Sequence, residues 1–412
     1  MKAERFAVLT KLDVYSAVTE VALPREKNIG ETTIGEANVH ESKVREANAV
    51  DFWRGFALIT IFINHIPGIY FERFTHRNVS ISDSAELFVF LAGWGLALMV
   101  SRYEARKAHI EAIKALADRT LRIYAVHLML VTIAIALLAA AATTYDNPLL
   151  LEWHNAATVF YDPIRAHIGL VTLSYQLGYF DILPLYVVLT AASPLVVLLH
   201  WYAPRALLPA SVALYVIVLV FRVSIPTWPT QGTWFFNPLA WQLIFVLGFV
   251  LARDKGAGAF VRRHINALFK LALPIVIATS IMQFWNLHPD PTRMPEPKLL
   301  FVDFKSFQTP IRLLQFLALA AVIAVISKRI MAALPPVTRV LSLLGRKSLV
   351  VFSVGSVLSL ACQVVRYVYK AELPLDFLIV VVGLSVMIFS AWLAEWPKSA
   401  SMSKTQAGNR IS

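Results

Sequence analysis

Arg54 and His65 stand eleven positions apart in an apolar run that opens Asp51-Phe52-Trp53-Arg54-Gly55 and closes Asn64-His65-Ile66-Pro67-Gly68. On an α-helix that spacing is three turns plus roughly 20°, so both side chains lie on one face, about 16 Å apart along the axis. A guanidinium at one end of such a face suits an anionic group. An imidazole held away from water is neutral, the form a general base needs. Together they fit group transfer across a barrier: an anionic donor docks on Arg54 while its reactive end reaches His65, which takes a proton from a hydroxyl arriving from the other side. The plainer reading makes His65 a core histidine hydrogen-bonded to a neighbouring helix. Glu72 lies seven residues further on, near the same face if Pro67 bends the helix only modestly, and is a candidate substrate contact.

A second basic pair, Arg119 and Arg122, stands three apart in Asp118-Arg119-Thr120-Leu121-Arg122. Residues at that spacing share a helix face, and arginine suits bidentate phosphate binding; plain positive-inside anchoring explains the pair equally simply. Asp83 and Glu86 flank the start of the next apolar run, where they either orient His65 and raise its basicity or act as solvated caps. Asp181 precedes a later run and caps that helix or touches an acceptor. Trp234, in the aromatic segment Ile225 to Pro238, is a candidate stacking platform, although aromatics near span ends usually form the interfacial belt. His154 and His167 read as solvated residues of a loop. Cys362 lies among small residues with no basic neighbour to activate it and reads as packing. No His, Cys or Asp cluster has metal-ligand spacing, and no glycine-rich phosphate loop follows a strand.

The elements that hold these residues are set by composition. The chain has 412 residues, of which 58% are hydrophobic and only 16% charged, well below the quarter or so usual for a soluble domain. Lipid is the expected solvent. Apolar runs at 54–71, 85–101, 119–143, 181–200, 206–223, 239–252, 267–285, 309–327, 347–365 and 374–394 predict an all-α bundle of about ten transmembrane helices. The sixth is short, and 144–180 has room for a re-entrant or interfacial helix. With the N-terminus inside, the cytoplasmic segments hold 28 of the 38 Lys and Arg residues and the outer segments ten, so both ends are expected in the cytoplasm. The net charge of +12 reflects those loops rather than nucleic-acid binding. Residues 1–48 are polar, lack an apolar signal segment and predict a largely disordered cytoplasmic tail; 49–396 form the membrane domain and 397–412 a second cytoplasmic tail. The single cysteine excludes an intramolecular disulfide.

Arg54 and His65 resemble the Arg-x10-His motif of the membrane acyltransferase family 3, and Arg119-Thr120-Leu121-Arg122 resembles its Arg-x-x-Arg motif. The segments around Asp51 and Asn64, with Glu86-Leu87-Phe88-Val89-Phe90-Leu91-Ala92-Gly93, Phe180-Asp181-Ile182-Leu183-Pro184-Leu185-Tyr186 and Phe236-Asn237-Pro238-Leu239-Ala240-Trp241-Gln242, are similar to the OpgC family, over about residues 46–395. The resemblance implies a transferase of the bacterial cytoplasmic membrane that moves an acyl group, succinyl in OpgC, from coenzyme A to a periplasmic glucan. It implies that His65 is catalytic, that Arg54, Arg119 and Arg122 handle the acyl-CoA, and that no cofactor is permanently bound. The usual Ser-Gly-Phe of the family is replaced by Ala92-Gly93-Trp94, a change that bears on the shape of the tunnel and the acyl group it admits.

Two other classes stay open: a transporter or flippase, whose buried polar groups would line a path through both leaflets, and a membrane scaffold that assists glucan export without chemistry. Against the former, the charges concentrate on the first three runs and no repeat relates the two halves. The acceptor, the acyl group and the oligomeric state are not fixed by the sequence.

Overall fold

The structure is a computed structural model that describes residues 48–287, 290–370 and 372–408. The expected N-terminal tail lies outside the described residues, except for Asn48. Among the described residues the α-helices are α1 (Ala49–Asn64), α2 (Ser84–Ala105), α3 (His109–Thr144), α4 (Ala157–Tyr161), α5 (Pro163–Val171), α6 (Ile182–Tyr202), α7 (Pro204–Phe221), α8 (Pro238–Ala252), α9 (Ala257–Arg263), α10 (Ile265–Phe284), α11 (Pro310–Ala333), α12 (Pro335–Arg346), α13 (Ser348–Tyr369) and α14 (Leu373–Gly408). An isolated bridge between Pro226 and Thr233 is the sole β-pairing among them. The fold is an all-α polytopic bundle.

Among the described residues eight helices are long and apolar enough to cross a membrane: α2, α3, α6, α7, α10, α11, α13 and the Leu373–Trp396 part of α14. The other two expected spans are shorter, α8 with 15 residues and α1 with 16. Residues 144–180 hold only α4, α5 and a 3-10 segment at Pro148–Asn155, none long enough to cross. The last helix runs on to Gly408, into the expected C-terminal tail.

The first span differs most from expectation. The Asn48 side chain accepts a hydrogen bond from the Asp51 amide (2.8 Å), which caps α1 early, and the helix ends at Asn64 instead of running to 71. Pro67 cannot continue the helical ladder, and Gly68 takes φ +73°, open to glycine at no steric cost. Arg366 of α13 then fixes the turn: it donates to the carbonyls of Pro67 (2.6 Å) and Gly68 (2.8 Å) and pairs with Asp376 (2.7 Å), which accepts from the Tyr70 amide. Glu72 therefore lies on a separate 3-10 turn, Tyr70–Phe74, and the helical phase that put it beside His65 does not hold.

α1 packs against α2, α12 and α13. Its contact with α12 is a backbone approach: a Cβ at Gly55 would run into the Leu341 carbonyl, and one at Gly345 into that of Asp51. Without a hydrophobic drive between helices in lipid, such small-residue contacts hold a bundle together. Trp53 adds a hydrogen bond to Ser327 of α11 (2.8 Å).

Candidate functional site

His65 caps the C-terminal end of α1, the outer end in the orientation expected from the charge asymmetry, its backbone amide bonded to the Ile61 carbonyl (2.9 Å). It is part-buried, and its Nδ1 is buried with no hydrogen-bond partner among the described residues. The Tyr179 ring lies on the imidazole, centroids 4.7 Å apart, and the His154 ring stands edge-on to Tyr179 at 5.0 Å. Gln363 of α13 completes the ring of contacts: its Nε2 donates to the His65 carbonyl (2.6 Å), and its Oε1 is 2.7 Å from His154 Nε2. Gln363 is six residues from the outer end of α13, about 9 Å along that helix, and holds the His65 carbonyl near the same depth. His154, expected in solvent, is packed into this cluster. Burial holds its pKa below the ordinary histidine value although the Gln363 bond works the other way. His167 is exposed.

Neither carboxylate expected to support His65 hydrogen-bonds to it. Asp83 and Glu86 form a capping box at the start of α2: Asp83 accepts from the Ala85 amide (2.8 Å), and Glu86 from the Asp83 amide (2.9 Å). Each is also claimed from the opposite wall. Asp83 pairs with Lys305. Burial pushes its carboxyl up, but Lys305 and Arg312 hold it well below the usual carboxylate range. Glu86 is fully buried and accepts from Nε and Nη2 of Arg312 (2.9 and 2.7 Å), while Arg312 Nη1 reaches Asp303 (3.0 Å). Asn64 is likewise occupied, accepting from Thr75 (2.8 Å).

At the other end of α1, Arg54 Nη2 donates to the Leu91 carbonyl (2.7 Å), and Nη1 is 3.9 Å from Asp51. Arg54 lines a cavity of about 390 Å³ together with Arg102, Arg346 and Lys347, against only Asp51 and Glu395 as acidic lining groups. Arg346 pairs with Glu395 (3.1 Å). The cavity lies where the basic loops converge, on the side that the charge asymmetry assigns to the cytoplasm. α1 thus carries a basic recess at one end and an imidazole at the other.

Arg119 and Arg122 part company. Arg119 is part-buried and within electrostatic reach of Tyr186 on α6, whereas Arg122 is exposed. Neither lines the cavity. Asp181 stands at the outer start of α6, two residues beyond Tyr179. Glu72 pairs with Arg77 (3.2 Å). Trp234 is buried, at 5% exposure, while Trp228 (44%) and Phe235 (47%) present open faces from the same loop. Lys305, Arg312, Tyr179, Gln363 and Tyr186 take part in the site without having been singled out by spacing. Arg312 alone carried a signal, a charge at the start of an apolar run.

The sequence matches the OpgC protein family over residues 45–399. The chain belongs to the OpgC family. Membership gives it a role in the modification of osmoregulated periplasmic glucans. No curated protein and no solved structure matches it. Within this OpgC chain the match spans every element of the bundle from α1 to the membrane part of α14, so the recess and the His65 cluster both fall inside the family region.

Proposed function

We propose that this protein is a membrane O-acyltransferase of the bacterial inner membrane that moves an acyl group, succinyl by the family's precedent, from cytoplasmic acyl-CoA to a hydroxyl of a periplasmic glucan. The observation that carries the reading is the pair of ends on α1: Arg54 in a basic recess on one side and His65 among Tyr179, His154 and Gln363 on the other. The recess suits a polyanionic donor head, since four cations oppose two carboxylates there. The roughly 16 Å rise between Arg54 and His65 suits a donor whose extended arm carries its thioester away from its phosphates.

In this mechanism the neutral His65 imidazole takes the proton of the acceptor hydroxyl as its oxygen attacks the thioester carbonyl. The C–S bond breaks as the new C–O bond is completed, and the imidazolium returns the proton to the departing thiolate. Coenzyme A leaves as the thiol and the ester stays on the glucan. Tyr179 packs against the imidazole at a tilt of 41° and holds the ring in place. Glu86 and Arg312 join the outer ends of α2 and α11, and Asp83 ties α2 to Lys305 in the turn before α11.

The test uses purified protein in lipid nanodiscs with radiolabelled succinyl-CoA or acetyl-CoA and isolated glucan. His65→Ala is expected to lower transfer by about 10² to 10⁴, the usual worth of acid–base catalysis, at normal abundance and with donor binding retained. His65→Gln keeps most hydrogen bonding but accepts no proton, so it is expected to be as inactive. Near-normal glucan acylation by the Gln variant sinks the assignment.

A further inference from the structure

Tyr186 has a buried hydroxyl that the fold itself does not use. It is 6% exposed, and its Oη has no hydrogen-bond partner among the described residues. Buried phenols normally find a partner, so its place within the bundle is informative.

Three walls meet at this hydroxyl. The Tyr186 ring packs against Phe88 of α2, centroids 5.4 Å apart. One turn further along α2, the Leu91 carbonyl takes the Arg54 guanidinium at 2.7 Å. Tyr186 and Arg54 therefore face the same stretch of α2 from α6 and α1. Arg119 belongs to α3, which packs along α6, and its guanidinium and that of Arg54 are both within electrostatic reach of the hydroxyl. The depth follows from the helical rise. Tyr186 and Phe88 are each the fifth residue of their helix, about 6 Å below its outer end, while Leu91 lies about 10 Å down. The hydroxyl is thus nearer the His65 end than the Arg54 guanidinium is.

Arginine only donates hydrogen bonds, and among the described residues the Tyr186 hydroxyl has no acceptor within hydrogen-bond distance. The missing partner is an acceptor oxygen. Resting on the acyl-CoA reading given above, we propose that Tyr186 donates a hydrogen bond to an amide carbonyl of the donor's pantetheine arm as that arm passes from Arg54 to His65. The two arginines face the phosphate end of the donor and the imidazole its thioester; the arm between them carries uncharged amide carbonyls, to which a neutral hydroxyl is matched.

The experiment compares wild type and Tyr186→Phe in nanodiscs, with succinyl-CoA and with S-succinyl-pantetheine, which lacks the nucleotide. Phenylalanine preserves the contact with Phe88, and melting temperature and membrane abundance check that the fold survives. Loss of one hydrogen bond to a neutral acceptor is expected to raise KM by about threefold to tenfold, by the same factor for both donors, with kcat within about twofold. Binding of desulfo-coenzyme A per folded molecule is expected to weaken by that factor too, a measurement independent of turnover. An unchanged KM and unchanged analogue binding overturn the assignment. So does a rise confined to the nucleotide-bearing donor, which moves the hydroxyl to the phosphates, or a fall in kcat at constant KM, which moves it to the reacting carbonyl. Wild-type protein that uses neither donor defeats the acyl-CoA reading itself and takes this assignment with it.

Discussion

Glu86 and Arg312 are 226 positions apart and meet inside the bundle, one carboxylate oxygen accepting from both Nε and Nη2 of the guanidinium at 2.9 and 2.7 Å. The pair joins the outer ends of α2 and α11. Gln315, one turn along, repeats the link by accepting from the Ser82 amide (3.1 Å) and donating to Ser80 (2.9 Å). Removing either charge leaves the other buried and uncompensated, a loss of about 3–5 kcal/mol. Glu86→Leu and Arg312→Leu alone are each expected to melt well below wild type in detergent and to accumulate poorly. The double variant, with no unpaired charge in the pair, is expected to recover much of the loss. Single variants that melt like wild type would remove the structural role and return Glu86 to candidacy as a partner of His65.

Arg119 and Arg122 give a second test because spacing treats them alike and burial does not. Arg119 faces the bundle near Tyr186, while Arg122 is exposed. Arg119→Ala is expected to raise the KM for acyl-CoA about tenfold with little change in kcat, the pattern of a contact made equally in ground and transition states. Arg122→Ala is expected to stay within about twofold of wild type in both constants. Equal effects from the two would show that the pair acts through charge at the membrane surface.

What spacing revealed and what it missed divide along a physical line. Arg54 and His65 were legible because one helix carries both, and a helix converts sequence distance into space. Capping by Asp83 and Glu86 was legible only in part: spacing allowed caps, but as solvated ones, whereas Glu86 is buried and both carboxylates are paired. The partners of those carboxylates were not legible: nothing within α2 indicates that Lys305 and Arg312 come from a segment more than 200 residues away. Gln363 and Tyr186 read as ordinary span residues, because their importance lies in what faces them. The end of α1 was signalled by Pro67-Gly68 but overridden by the apolar run continuing to 71, and the deciding contact is Arg366 from α13.

His154 makes the outer cluster sensitive to acid. Burial lowers its folded pKa below that of an unfolded histidine, with the Gln363 bond offsetting part of the shift. Below about pH 6.5, the ordinary histidine value, the unfolded chain binds a proton that the folded protein refuses, so stability falls as pH drops through that value towards the depressed folded pKa. Thermal melts in detergent from pH 8 to pH 5 are expected to show this decline, and His154→Gln to reduce it. An identical pH profile in the variant would assign the sensitivity to other groups.

Gly95 gives the cleanest separation of donor binding from folding. It lines the basic recess, and a Cβ there would press on the Arg54 guanidinium, with no other residue in near contact. The end of a long side chain yields more readily than backbone does, so Gly95→Ala is expected to displace Arg54 from the Leu91 carbonyl without parting α1 from α2. Alanine also favours a helix interior over glycine by roughly 0.5–1 kcal/mol, so the variant is expected to melt at or slightly above the wild-type temperature. Its KM for acyl-CoA is expected to rise about fivefold or more while kcat holds, because the His65 end of the site is about 16 Å away along α1. A protein that keeps both its melting temperature and its KM would show that the position of the Arg54 guanidinium does not matter to the donor, and the role given to Arg54 would have to be abandoned.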